Sequence, residues 1–141
     1  MKILEILTPK RILGNFGEIA AARYLKKQGY LIIERNYVAE AGEIDIIADH
    51  DGTRVFVEVK TRTYSEPSPA TLRPAAAVTK EKQARLIRCA LQYNSRNYKK
   101  RRMRFDVVEV YTEKTRLGAK VKSINHIKAA FDKSTAKGYI K

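Results

Sequence analysis

The residues whose types and spacing suit chemistry best are Asp45, Glu58 and Lys60, carried on two stretches of alternating sequence, Gly42–His50 and Thr53–Lys60. The intervening Asp51-Gly52 is a strong signal for a two-residue primed turn, whose twist suits antiparallel strands. Such a turn pairs His50 with Thr53 and, carried outward, Asp45 with Glu58 and Glu43 with Lys60. Opposed side chains on one face of an antiparallel pair have Cβ atoms about 4.5–5.5 Å apart, so two carboxylates can share one hard cation. The register is the premise, because an odd loop or a bulge would send the two acids to opposite faces.

Two adjacent, half-buried carboxylates repel unless a cation or a lysine compensates them. Mg²⁺, or Mn²⁺ in its place, takes oxygen ligands and keeps waters that can attack a phosphate. Asp45, Glu58 and the Val59 carbonyl match that donor set. Lys60 would orient the attacking water and offset charge on the phosphoryl oxygens. Its plainer reading is a strand lysine paired with Glu43. Arg62, two residues on, is placed to clamp a neighbouring phosphate. The spacing therefore describes a divalent-metal phosphodiesterase, with a charge-alternating surface hairpin as the alternative.

The elements that position these residues follow from periodicity. Asn15 with Glu18 reads as an N-cap and capping box, starting a helix that runs to Gln28 and stops at Gly29. Glu18 shares a helical face with Ala21, Ala22 and Leu25, so it either turns toward the sheet or serves the cap alone. Tyr30–Tyr37 reads as a first strand, Val38–Gly42 as a turn, and Val55, Val57 and Val59 as the core face of the central hairpin. The proline-rich Ser65–Ala77 is a loop, either a rim over the site or inert surface. A helix should start near Thr79 and run to about Tyr93 with Ala84, Ile87, Ala90 and Leu91 inward. Lys80, Lys82, Gln83, Arg85 and Arg88 then sit on its flanks, with Lys80 or Gln83 near enough to reach the metal water or the substrate backbone. Phe105–Tyr111 reads as another strand with Asp106 in a structural ion pair, and Ala119–Ile124 as a short one. Asn125–Phe131 packs back on the sheet. His126 has no second histidine at metal-ligand spacing, which argues against zinc.

Composition names a partner class. Twenty-nine basic against 15 acidic residues leave +14 on 141 residues, and releasing counterions from a polyanion rewards each basic contact. Arg96–Arg104 holds Lys99, Lys100, Arg101, Arg102 and Arg104, a run that suits nucleic acid, a ribosomal surface or plain solvation. No stretch has the length and apolarity of a membrane span or secretory leader, and the opening Met1–Thr8 carries Glu5. The lone Cys89 excludes an internal disulfide and suits core packing in a reducing cytoplasm. The length suits one domain over residues 1–131, with a basic tail over 132–141.

The segments Gly14-Asn15-Phe16-Gly17-Glu18, Gly42-Glu43-Ile44-Asp45, Phe56-Val57-Glu58-Val59-Lys60-Thr61-Arg62 and Arg104-Phe105-Asp106-Val107-Val108 together resemble the bacterial YraN family. That family is similar to the restriction-endonuclease-like PD-(D/E)xK superfamily and, distantly, to archaeal Holliday junction resolvases. The resemblance implies a three-layer α/β fold with a mixed central sheet. It also implies Asp45 and Glu58 as metal carboxylates, Lys60 as the catalytic lysine and Glu18 as the helix acid completing the site. Ile44 stands where the superfamily pattern has proline, a position without chemistry. The expected activity is cleavage of nucleic acid, DNA before RNA and branched DNA among the candidates. A non-catalytic nucleic-acid-binding module and a ribosome-associated structural protein are the alternatives. Whether a homodimer arranges two such sites is left open.

Overall fold

A computed structural model of the chain describes residues 9–64, 78–96, 101–132 and 134, with side chains from residue 15 onward. The elements run α1 (Pro9–Lys27), β1 (Leu31–Ala39), β2 (Gly42–His50), β3 (Thr53–Thr63), α2 (Lys80–Arg96), β4 (Arg102–Thr115) and β5 (Gly118–Phe131). The five strands form one sheet in chain order. Neighbours are antiparallel except β3 and β4, which run parallel with α2 in the connection between them. A parallel step needs a crossover of a dozen or more residues, and a helix supplies it.

Each face of the sheet is covered. Ala21, Ala22 and Leu25 of α1 pack on Ile46, Val55, Val57, Val108 and Val110. Ala84, Ile87, Ala90 and Tyr93 of α2 pack on Ile47, Phe56, Phe105 and Val107. The result is the expected three-layer, restriction-endonuclease-like α/β arrangement with a mixed central sheet. Both faces of β3 are therefore buried. The valine face expected to form the core is one of two, and Phe56 belongs to the other. β4 is buried without a break from Phe105 to Thr112, with Asp106 and Glu109 as buried acids among its apolar residues.

The β2–β3 turn follows the sequence expectation. Asp51 and Gly52 both have positive φ, 49° and 78°, and His50 opposes Thr53, as a type I′ hairpin requires. Other boundaries differ. Asn15 lies inside α1 and caps nothing, because the helix is already formed from Pro9. Leu91 is exposed, falling on the flank of the buried arc that Leu86, Ile87, Cys89 and Ala90 define. The C-terminal region is one long strand through Phe131, with register shifts between Phe105 and Val107 and between Tyr111 and Thr112. Thr79 does cap α2, its Oγ1 accepting from the Lys82 N–H at 3.2 Å. The rim loop, Lys99, Lys100 and most of the C-terminal tail lie outside the described residues.

Candidate functional site

The central hairpin keeps its register for five pairs, from His50 opposite Thr53 to Ile46 opposite Val57, and then its two strands part. At the next position the Asp45 Oδ2 accepts a hydrogen bond from the Val59 backbone N–H at 2.8 Å. A side-chain carboxylate thus replaces the neighbouring strand's carbonyl, and the opening strands leave no orphan donor at Val59. β2 continues along β1 to Gly42 opposite Ala39, while β3 continues along β4 to Thr63 opposite Thr112. The divergence corrects two expectations: the ladder stops short of Asp45 and Glu58, which meet in a cavity and not as a directly opposed pair, and Glu43 opposes Val38 of β1 and not Lys60.

Asp45 and Glu58 line the same cavity of about 290 Å³, between the β1–β2 turn at Ala41–Glu43 and the Lys82, Arg85, Leu86 and Cys89 side of α2. Glu58 is only 7% exposed. Lys82 Nζ lies 2.8 Å and Lys60 Nζ 3.8 Å from Glu58 Oε1. Burial, then the negative charge of Glu58, pushes the Asp45 carboxyl up to about 7, with Glu18 adding to the rise. The Val59 N–H and Lys82 pull the other way. Burial, a hydrogen bond to Lys82 and that ammonium's charge lower the Lys60 amine. For Lys82 burial acts downward, but its bonds to Glu58 and Lys60 and the charge of both acids leave it raised. The cavity is thus an acid pair held by two unequal lysines, and perturbed groups converging in a cleft mark a candidate site.

α1 delivers the third acid by close approach. A Cβ built on Gly17 would lie 1.8 Å from Thr61 Oγ1 and 2.9 Å from Thr61 Cβ, so only glycine lets the helix rest on β3 at this point. The next residue, Glu18, is 3.8 Å from Arg35 and its charge is felt at Asp45. Among the described residues no group of three or more His, Cys, Asp or Glu side chains gathers closely enough to hold a metal.

The remaining expected residues divide. Arg62 Nε donates to the buried Glu109 at 3.1 Å, and Asn125 Nδ2 donates to the other Glu109 oxygen. Gln83 is buried, its Nε2 donating to the Val78 carbonyl at 2.9 Å, so its amide serves the start of α2. Arg101 pairs with Asp49 at 3.2 Å. Arg104 holds the fully buried Asp106 through Nε and a terminal nitrogen and also donates to the Tyr30 hydroxyl. His126 completes that network at 2.7 Å from Asp106. Burial works against the Asp106 carboxylate, yet these bonds leave it below its usual range. This is the structural ion pair expected of Asp106. Lys80 and Arg102 stay exposed.

Sequence reasoning put Lys82 among the backbone-seating cations and looked to Lys80 or Gln83 for the metal water. The helix instead aims Lys82 at Glu58. The signal was available: Lys82, Leu86 and Cys89 follow helical spacing along one edge of the apolar arc.

The fold and the paired acids at the parting of β2 and β3 define a restriction-endonuclease-like α/β protein, a fold related to nuclease superfamilies. Residues 17–110 match the uncharacterised protein family UPF0102. A UPF0102 protein of Caldanaerobacter subterraneus subsp. tengcongensis is 42% identical over 123 residues, covering 86% of this chain and 96% of the relative. One of Caldicellulosiruptor saccharolyticus is 47% identical over 123 residues, covering 86% and 98%. One of Desulfosudis oleivorans is 41% identical over 133 residues, covering 93% and 98%. The chain belongs to the UPF0102 family, which bears out the resemblance read from the motifs. No described helix is long and apolar enough to cross a membrane.

Proposed function

We propose that the chain is a Mg²⁺- or Mn²⁺-dependent endonuclease acting on nucleic acid, with DNA, including branched DNA, as the first substrate to try and the cytoplasm as its place of work. The observation that carries this reading is the sharing of one cavity by Asp45, Glu58 and Lys82, with Lys60 and Lys82 both directed at Glu58. The donor set fits a small hard cation, because Mg²⁺ commonly takes one or two carboxylates and completes its shell with water and substrate phosphate. Lys82 Nζ, 2.8 Å from Glu58, stands where a cation would compete for that carboxylate.

In this reading Asp45, Glu58 and the Val59 carbonyl would hold the ion. When bound, it would make a water more acidic and polarise a phosphoryl oxygen. The Val59 N–H fixes the Asp45 carboxylate on one oxygen and leaves the other for the cavity. Lys60, at lowered proton affinity and beside Glu58, is suited to orient the attacking water and to offset charge on the phosphoryl oxygens. Glu18 adds negative potential, strengthening the site's demand for a cation. The surplus of basic side chains seats the phosphodiester backbone.

A second reading rests on the same lysine. Lys82 already neutralises Glu58 at 2.8 Å, as it would in a non-catalytic nucleic-acid-binding or ribosome-associated module that keeps the fold for shape and charge. Purified protein incubated with branched, flapped and linear DNA plus Mg²⁺ separates the two. Cleavage lost in Asp45→Ala supports the enzyme. Cleavage that survives this substitution sinks the catalytic assignment of Asp45, and calorimetry without metal binding favours the module.

A further inference from the structure

Asp45 and Glu58 do not stand on the protein's surface. They lie in a recess whose walls are α2 on one side and the β1–β2 turn on the other. A duplex carries its two backbones on a stiff cylinder, with a persistence length of about 150 base pairs. It presents a phosphate to a recess poorly, whereas an unpaired strand bends into it. Arg85 lines this recess and also a second hollow of about 230 Å³ that includes Arg88. Lys82, Arg85 and Arg88 are successive i, i+3 neighbours, forming one oblique ridge that advances about 9 Å along the helix axis. Glu81 shares the second hollow, and the two arginines outnumber it. Among the described residues neither hollow is lined by an aromatic ring, so binding there addresses the backbone and not the bases.

We infer that the substrate reaches the carboxylate recess as an unpaired polynucleotide strand, its backbone laid along α2 over Arg85 and Arg88. The inference deepens the phosphodiesterase reading and rests on it for the identity of the site, but its test needs no cleavage.

The full chain is titrated in EDTA with labelled oligo-dU, oligo-rU and a blunt duplex of equal length, across a salt series. The expected result is at least tenfold tighter binding of an unpaired strand than of the duplex. Arg85→Ala and Arg88→Ala should each weaken that binding severalfold and lower the slope of log K against log salt by about 0.7. Lys120→Ala on β5 should leave both unchanged. Equal affinity for the two oligomers means that the backbone alone is read, and preference for one names the sugar; either outcome meets the inference. Duplex binding as tight as that of an unpaired strand overturns it, as do unaltered affinity and slope in both arginine variants. Should those results coincide with Mg²⁺-dependent cleavage of duplex DNA, the unpaired-strand route falls and the endonuclease stands. Tighter unpaired-strand binding that depends on Arg85, with no cleavage of any substrate, keeps the route and removes the endonuclease.

Discussion

Asp45→Asn should make the metal-free protein more stable, although it strikes the centre of the proposed site. The Asp45 carboxyl titrates at about 7 against an ordinary 3.8. That displacement of about three pH units corresponds to about 4 kcal/mol between its two protonation states. Since the folded state binds this proton more tightly than the unfolded chain does, the contribution favours folding below pH 3.8. It declines between 3.8 and about 7 and above that is an uncompensated load on the fold. Asparagine keeps an oxygen for the Val59 N–H, removes the charge facing Glu58, and offers Glu58 a donor. A gain of about 2 kcal/mol at pH 8, roughly half the full linkage value, corresponds to about 6 °C in Tm at ~3 °C per kcal/mol. Urea and thermal unfolding of both proteins in EDTA at pH 4 and pH 8 measure it, with the curves nearly coincident at the lower pH. Added Mg²⁺ should raise the wild-type Tm and narrow the gap. A variant no more stable than wild type at pH 8, or a gap of the same size at both pH values, would refute the reasoning.

Three further outcomes follow from contacts at named atoms. Gly17→Ala forces a Cβ onto Thr61 and should cost about 1–3 kcal/mol; a double-mutant cycle with Thr61→Gly in urea should show recovery, and additive effects would place the damage elsewhere. Asp106→Ala leaves the half-buried Arg104 and the buried His126 ring beside a missing anion and should cost about 3 kcal/mol, whereas a loss under 1 kcal/mol in denaturant titration would show that this network contributes little. Lys82→Ala removes the ammonium nearest Glu58; it should lower stability in EDTA and increase the Tm rise produced by Mg²⁺, and an unchanged metal response would deny any competition between lysine and ion.

Local chemistry explains which features the sequence disclosed. The I′ turn at Asp51-Gly52 is set by two adjacent residues, and from it the side-chain period of two carries the register as far as Ile46 opposite Val57. Two-sided burial was harder to read, because Glu58, Lys60 and Arg62 on one face of β3 suggest a solvated side, and Phe56 alone speaks against it. The parallel pairing with β4 that makes β3 central depends on residues some 50 positions away. The early start of α1 was hidden by Gly14, Asn15 and Gly17, weak helix formers that suggest a boundary. Gly17 is in the helix because contact with Thr61 tolerates nothing larger, so tertiary packing outweighed propensity there.

The site shows the same division between local and distant causes. Simple strand arithmetic brings Asp45 and Glu58 toward each other but cannot foresee that Asp45 captures the Val59 N–H, since that bond exists only where the hairpin opens. The opening in turn displaces Glu43 from Lys60 and leaves room for a cation from the covering helix, which α2 supplies as Lys82. Lys60 is thereby freed from the strand salt bridge that would have made it ornamental. It shares Glu58 with a second, closer ammonium, and burial together with that neighbour makes it hold its proton less tightly. A lysine whose proton affinity is lowered in this way suits the orienting of a water at a phosphodiester better than one locked against its own carboxylate, and that difference was decided in good part by the helix on the far side of the cavity.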